Sequence, residues 1–283
     1  PTPRPQPRPS HALKRALCRG RPVPDIVDVR RLLDLLRGFG VKIEQLDKNS
    51  YTFQADEINL DYFETDDFRK NATKIRGSVM LIGPMLARFK RGFLPQPGGD
   101  KIGRRRMDTH FNGLEKLGAT FTFDQDNYVY NIRTRGLKGT YIWMDEISVT
   151  GTANMVMAAV MAEGTTTLYN AACEPYLQQL CSMLNSMGAK IEGIGSNLLN
   201  IEGVSSLGGT THKVLPDMIE IGSFIGLAAM TQSDITIKDL NIHQLGIIPR
   251  TFERMGVKMD IDSDSVIIKT FKKWGGGAVV GLL

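Results

Sequence analysis

A glycine-rich, cationic stretch at residues 97–108 holds the residue types that chemistry on a phosphate-bearing substrate requires. It reads Pro-Gly-Gly-Asp-Lys-Ile-Gly-Arg-Arg-Arg-Met-Asp. Its three glycines let backbone amides approach a ligand closely, and its four cations can bind an anion. Asp100 is the only acid among those cations, so it is the candidate for moving a proton. The alternative is a charged surface turn, because basic runs on protein surfaces are common.

The elements around this stretch follow a repeated pattern of an amphipathic helix, a glycine and an alternating strand. The glycines of the four copies are Gly40, Gly118, Gly188 and Gly256. Each is expected to take the left-handed conformation that ends a helix, and the residues after it alternate like a half-buried strand. A turn and a second strand should follow in each copy, near residues 51–53, 128–132, 198–201 and 266–268.

A second pattern interleaves with the first and predicts buried helices. Gly77-Ser78, Gly151-Thr152 and Gly222-Ser223 each introduce a segment that is apolar nearly all round, which is typical of an interior helix. Each leads to a further strand, near residues 92–94, 165–169 and 234–237. The unit recurs after about 70 residues, and units of this kind need neighbours to close a core. We infer an α/β protein with the apolar helices inside and the sheets outside.

The distribution of charge argues against a nucleic-acid partner. The formal net charge of the 283 residues is +5, but residues 1–23 hold six cations and no acid, so the rest of the chain carries −1. The body of the protein therefore lacks the basic footprint of a nucleic-acid-binding protein. A nucleic-acid role would depend on the N-terminal segment alone.

The cysteines, histidines and apolar runs predict neither a metal site nor a membrane span. The three cysteines have no metal-ligand spacing, their odd number does not suggest a disulfide framework, and the four histidines are scattered. Cys181 lies on the apolar stripe of a predicted helix and is expected in the core. No apolar run reaches the length of a membrane-spanning helix, and the N-terminus has no signal-peptide pattern. We expect a cytoplasmic protein without a metal.

Both ends of the chain depart from the repeat. Residues 1–22 are rich in Pro and Arg and are expected to be a disordered basic tail, in a place where the repeat calls for a buried helix. Residues 271–283 are likewise expected to be disordered. Our hypothesis is that both ends are foreign to the fold, through out-of-frame translation or truncation, and the DNA reading frame across the two junctions tests it.

Residues 23–268 resemble the UDP-N-acetylglucosamine 1-carboxyvinyltransferases, a family of enolpyruvyl transferases. The segments that carry the resemblance are residues 76–89, 97–105, 108–110, 113–119, 144–149, 162–166 and 215–217. The resemblance implies two inside-out α/β prisms, each of three repeats. Residues 23–215 would form the first prism with the substrate loop, and residues 216–270 the opening repeat of a truncated second prism.

The resemblance also implies a reaction and its participants. The enolpyruvyl group of phosphoenolpyruvate would be transferred to the 3′-hydroxyl of UDP-N-acetylglucosamine, without a cofactor, by addition and then loss of phosphate. Asp100 stands where most family members carry a cysteine and would be the proton donor. Fosfomycin, the epoxide that alkylates that cysteine, should therefore find no thiol, and covalent labelling of Asp100 would contradict this expectation.

The substrate-binding residues implied by the resemblance lie in three segments. They are Arg76, Arg105, Arg106, Met107, Asp108, Thr109, Glu146, Ile147, Ser148 and Val149. Arg106 replaces a common proline and Glu146 a frequent lysine, which puts the Glu146 side-chain contact in doubt. Asp108 could also cap the following helix. Asp217 receives no catalytic role.

Three readings of the function stay open. The family's lysine–asparagine pair has no match here and its base should lie beyond residue 283, so this chain is expected to be a partial or inactive enolpyruvyl transferase. The alternative from another class is a non-catalytic module that binds nucleotide-sugars or a protein partner. A shikimate-pathway enolpyruvyl transferase is disfavoured by the Pro-Gly-Gly-Asp loop. The oligomeric state is not predicted.

Overall fold

Each of the four repeats contains a helix, a left-handed glycine and a hairpin in the computed structural model, which describes residues 17–95 and 107–269. The helices are α1 (Val27–Gly38), α4 (Asp108–Lys116), α6 (Pro175–Ser186) and α8 (Ile248–Arg254). Gly40, Gly118, Gly188 and Gly256 follow them with φ of 87°, 99°, 104° and 93°. Only glycine takes this conformation without steric cost, so each helix ends there, as predicted.

The hairpins and the strands beside them have one topology throughout. The antiparallel hairpins are β2 (Lys42–Asp47) with β3 (Ser50–Gln54), β5 (Ala119–Asp124) with β6 (Val129–Thr134), β9 (Lys190–Glu192) with β10 (Leu198–Glu202), and β13 (Met259–Ile261) with β14 (Val266–Ile268). The second strand of each hairpin also pairs, antiparallel, with β1 (Leu17–Arg21), β4 (Arg91–Pro95), β8 (Thr165–Tyr169) or β12 (Ile235–Ile237), respectively. The strands predicted from the two glycine patterns are confirmed.

Two short parallel strands extend two of the sheets. Strand β7 (Tyr141–Trp143) pairs with β8, and β11 (Thr210–Lys213) pairs with β1. The sheet orders are β11-β1-β3-β2, β4-β6-β5, β7-β8-β10-β9 and β12-β14-β13. The sequence analysis predicted neither parallel strand, because such pairing joins segments that are distant in sequence.

Strand β1 corrects the expected extent of the N-terminal tail. Residues 1–22 were expected to be disordered, but Cys18, Arg19 and Gly20 each pair with β3 on one side and β11 on the other. Two neighbouring strands satisfy the backbone of this segment in spite of its basic composition. Residues 1–16 and 270–283 lie outside the described residues.

The chain divides into two units, the first ending at Lys213 and the second beginning at Val214. The predicted boundary followed residue 215. In the first unit, the largest core cluster contains buried side chains from α4, α5 (Val149–Ala159) and α6, and from the sheets around them. Cys181 is buried in this core, as predicted, and Cys18, Cys173 and Cys181 are all free thiols.

The apolar helices differ between the units. A 3₁₀ helix, Arg76–Leu81, leads into α3 (Ile82–Phe89), and α3 packs against α5. Eight residues of α5 are buried. In the second unit, α7 (Met218–Thr231) buries three. The prediction that these helices are interior is right for α5 and wrong for most of α7.

An aromatic cluster supports the segment that leads to Arg76. It is formed by Phe39 at the end of α1, by a 3₁₀ helix after β3, Leu60–Glu64, and by α2 (Asp66–Ala72). The rings of Phe39 and Phe63 meet edge to face with centroids 4.8 Å apart, and Phe68 packs on both. Ile75 is buried in the same cluster, so the residue immediately before Arg76 is fixed.

Candidate functional site

The cationic stretch, residues 97–108, connects strand β4 to helix α4. Strand β4 ends at Pro95, which pairs with Val129, and α4 begins at Asp108. The candidates Asp100, Arg105 and Arg106 lie outside the described residues. The candidates that the structure describes are those at the end of the stretch, residues 107–109, together with Arg76 and residues 146–149.

The first turn of α4 carries three of the candidates. Met107 occupies the N-cap position, and its side chain makes no capping hydrogen bond. Asp108 is the first helical residue, so the alternative role of Asp108 as the cap is wrong. Its carboxylate is exposed in the first turn, where a negative charge complements the helix dipole. Thr109 is buried beneath it.

The segment before α5 carries the next four candidates. Ser148 is the N-cap of α5, and its Oγ accepts a hydrogen bond of 3.1 Å from the Gly151 N–H. Val149 is the first helical residue and packs against a small apolar cluster. Glu146 is exposed, and Ile147 is 64% exposed, which is unusual for an isoleucine. The backbone of this segment is thus fixed while two side chains face solvent.

Direct hydrogen bonds join these two segments. Thr109 Oγ1 donates to Glu146 Oε1 at 2.8 Å, and Asn112 Nδ2 donates to Asp145 Oδ2 at 2.9 Å. The candidates Thr109 and Glu146, 37 residues apart in sequence, are therefore in contact. The structure places the N-termini of α4 and α5 side by side.

Arg76 faces the same place from a third segment. It begins the 3₁₀ helix that precedes α3 and is half-buried. Its charge acts on His110, the residue after Thr109. In the part of the chain that the structure describes, the Arg76 guanidinium thus acts on the place where the N-termini of α4 and α5 meet, an arrangement that suits an anionic ligand.

His110 and Asn154 form the buried base of this site. His110 is 3% exposed, and Asn154 on α5 is fully buried. Asn154 Nδ2 lies 2.9 Å from His110 Nδ1, and Thr150 Oγ1 lies 3.3 Å from His110 Nε2. Asn154 also bonds the backbone near α3, at Val79 and Gly83. The same two side chains therefore touch three helices.

Burial keeps the His110 ring neutral. Removal from water and, to a smaller extent, the positive charge of Arg76 lower the pKa of His110 to about 4. The carboxylate of Glu146 acts in the opposite direction and is outweighed. At neutral pH the imidazole therefore adds no positive charge to the site, whereas Arg76 and the helix N-termini do.

The sequence analysis did not assign a role to His110 or Asn154. His110 was considered only as a metal ligand and set aside. The available signal was Asn154 itself, because an amide inside the otherwise apolar helix α5 needs buried partners. The partners could not be identified from sequence, since His110 is 44 residues away.

Residues 17–95 and 107–269 give no indication of two other kinds of site. No group of three or more His, Cys, Asp or Glu side chains there is arranged to hold a metal ion. None of the helices in these ranges combines the length and apolar character that crossing a membrane requires.

Comparisons with known proteins agree with the predicted fold and resemblance. A family profile described as EPSP synthase (3-phosphoshikimate 1-carboxyvinyltransferase) matches residues 12–279. Among solved structures, the chain is similar to the enolpyruvyl transferase NikO from Streptomyces tendae, with a TM-score of 0.75 and 20% identity over 91% of this chain and 61% of that one. An EPSP synthase from Acinetobacter baumannii gives a TM-score of 0.63 and 19% identity over 90% of this chain and 59% of that one. The predicted α/β fold of the enolpyruvyl transferases is confirmed.

Curated relatives are more similar in sequence. The chain is 58% identical over 246 residues to a UDP-N-acetylglucosamine 1-carboxyvinyltransferase of Bacteroides fragilis, covering 87% of this chain and 57% of that protein. It is 56% identical over 248 residues to the protein of the same name in Porphyromonas gingivalis, covering 88% and 57%. The chain thus spans a little over half the length of these relatives. On the family match and these identities, the chain belongs to the EPSP synthase family of enolpyruvyl transferases.

Proposed function

We propose that this chain carries part of a UDP-N-acetylglucosamine 1-carboxyvinyltransferase. In the overall reaction, the 3′-hydroxyl of UDP-N-acetylglucosamine loses its proton as its oxygen bonds to C2 of phosphoenolpyruvate, and the methylene carbon of phosphoenolpyruvate takes up a proton. That carbon then loses a proton as inorganic phosphate leaves, giving the enolpyruvyl ether. The products would serve peptidoglycan precursor synthesis, and hence cell shape and division, in the cytoplasm.

The contact between Thr109 and Glu146 is the observation that carries the proposal. It joins the first turn of α4 to the segment before α5, the two segments that the family resemblance assigns to the nucleotide-sugar. Arg76 adds a cation beside them. The names of the relatives at 56–58% identity favour the UDP-sugar over shikimate 3-phosphate as the acceptor.

The proposed roles divide between binding and proton transfer. Arg76 and Arg105 bind substrate anions, while residues 106–109 and 146–149 hold the nucleotide-sugar, chiefly through helix N-termini and backbone groups. Asp100 is the proposed general acid. A carboxyl group can serve if the closed, anion-filled site raises its pKa, although the adjacent Lys101 acts in the opposite direction.

Titration of the chain with UDP-N-acetylglucosamine and with shikimate 3-phosphate tests the proposal, with phosphate release from phosphoenolpyruvate followed in parallel. Of the two ligands, we expect the UDP-sugar to bind and shikimate 3-phosphate not to bind. Arg76→Ala should weaken it by roughly ten-fold or more, because a charge-assisted hydrogen bond is lost. Arg88→Ala, at an exposed position on α3, is the matched control and should bind normally.

The other outcomes separate the alternatives. Measurable phosphate release would exclude the non-catalytic nucleotide-sugar module, whereas an inactive partial enzyme and the module would both bind the UDP-sugar without it. Preferential binding of shikimate 3-phosphate would contradict the proposal. Equal affinities of the Arg76 variant and its control would remove Arg76 from the site.

A further inference from the structure

The hydrogen bonds of Asn154 fix the orientation of its amide. Its Oδ1 accepts from the Gly83 N–H at 3.0 Å, and its Nδ2 donates to the Val79 carbonyl at 2.9 Å. The reversed amide would set N–H against N–H at Gly83 and oxygen against oxygen at Val79. The second hydrogen of Nδ2 is therefore available to His110, whose Nδ1 lies 2.9 Å away.

This orientation determines where the His110 ring carries its proton. Nδ1 faces a donor, so it must act as an acceptor and carry no hydrogen. The single ring proton is then on Nε2, 3.3 Å from Thr150 Oγ1, which can accept it. In a doubly protonated ring, the Nδ1–H would point at the Asn154 Nδ2–H, so two donors would face each other. Among residues 17–95 and 107–269, the charged groups that act on the ring are Arg76 and Glu146.

We infer that Asn154 and His110 are positioning residues that hold the first turn of α4 against α3 and α5 through a histidine fixed as its neutral Nε2–H tautomer. His110 directly follows Thr109, and Asn154 holds it to backbone groups just before and within α3, the helix that follows Arg76. The pair thus sets the distance between segments of the proposed nucleotide-sugar site. Only the affinity measurement below rests on the proposed function.

The close approach of α3 and α5 gives this pair little room to adjust. A Cβ added to Gly83 would lie 2.6 Å from the Asn154 carbonyl oxygen and 3.0 Å from its Oδ1, so the glycine is needed where Asn154 meets α3. Both polar partners are buried in the protein interior. An unsatisfied group here would be costly, so a change in one partner should move the backbone that carries the other.

Nitrogen NMR of the histidine-labelled chain tests the tautomer directly. At neutral pH, we expect Nε2 of His110 to carry the proton and Nδ1 to be unprotonated. Asn154→Asp keeps the side-chain shape but presents an acceptor to Nδ1, so the proton should move to Nδ1 or the ring should become doubly protonated. A wild-type ring with a proton on Nδ1, or an unchanged tautomer in Asn154→Asp, would overturn the inference.

Two matched substitutions at residue 110 test the positioning role. His110→Asn can return an acceptor to the Nδ1 position, whereas His110→Gln reaches toward the Nε2 position. We expect amide hydrogen exchange at Gly83 and Phe111 to rise about ten-fold in His110→Gln and to stay near wild type in His110→Asn. The affinity for UDP-N-acetylglucosamine should fall roughly ten-fold in His110→Gln and less than about three-fold in His110→Asn.

Equal exchange rates in the two variants would contradict the positioning role even if both fold. If the wild-type chain does not bind the UDP-sugar, the proposed function fails, and the tautomer and exchange measurements still decide this inference.

Discussion

Helices α5 and α7 arise from the same repeated pattern but differ in their surroundings. In α5, eight residues are buried, among them the polar side chains Thr152 and Asn154. Helix α7 has a more apolar sequence, yet Phe224 and Leu227 are nearly half exposed and Met230 is 76% exposed. Apolar composition therefore predicts burial only where neighbouring repeats supply the covering surface.

The number of packing partners explains the difference. Helix α5 packs against α3, α4, α6, β10 and the 3₁₀ helix Arg76–Leu81 within the first unit, whereas α7 packs within its own unit against α8, β12 and β14. A helix with partners on several sides can also hold polar groups inside, provided that each is hydrogen-bonded. This is why α5 can contribute Asn154 to the polar base of the candidate site.

The largest effect on stability should come from replacing a methionine by lysine in each of the two helices. Met155 on α5 is fully buried, and Met155→Lys should destabilise the first unit by about 4 kcal/mol or more, because an unpaired ammonium would enter the core. The matched change Met230→Lys should alter stability by about 0.5 kcal/mol or less. Hydrogen exchange on peptides from each unit measures both, since two units need not unfold together. Similar losses in both variants would refute the contrast.

The next effect concerns His110, the buried polar residue of α4 that contacts Thr150 and Asn154 of α5. The pKa of His110 is about 4 in the folded chain, below the ordinary value of 6.5. The unfolded state therefore binds more protons between these values, and stability falls as the pH is lowered through that window, by roughly 3 kcal/mol in total. In His110→Gln this contribution disappears, so its stability relative to wild type should improve on acidification. Denaturant unfolding of the first unit between pH 7 and pH 4 measures the difference, and a difference independent of pH would contradict the prediction.

The smallest effect compares truncations. Val156→Ala removes fewer atoms than Leu227→Ala, but Val156 is fully buried and Leu227 is 49% exposed. We expect a loss of about 2 kcal/mol for the first and about 1 kcal/mol or less for the second, because a cavity forms only in the first. The same exchange experiment ranks them, and the reverse order would mean that Leu227 is covered in solution.

The features that were predictable from sequence are those set by neighbours along the chain. Gly188 ends α6 and the next residues form a hairpin because the left-handed turn and the strand alternation are local. Ser148 was predicted only as a substrate-binding residue, although its place before an apolar helix is also typical of a capping residue. These local signals recur in every repeat, which is why the fold class followed from them.

The features that were not predictable depend on distant partners. Strand β1 has the composition of a disordered tail and is ordered by β3 and β11, and the second of these lies near the end of the unit. The pairing of Asn154 with His110 is equally non-local. Whether α7 is covered depends on the surfaces around it, which its own residues do not specify. Asp100, Arg105 and Arg106 stay predictions.

The parallel pairing of β1 with β11 has a consequence for the order of folding. Residues 17–21 can pair early with β3, which lies close in the chain, but the other edge of β1 waits for residues 210–213. Closing so long a loop is entropically slow, and until it closes, β1 presents an unpaired strand edge of the kind that promotes aggregation. On the ribosome, this sheet can be completed only after all three repeats of the first unit have emerged, so the seam between β1 and β11 is expected to be the last part of the unit to form.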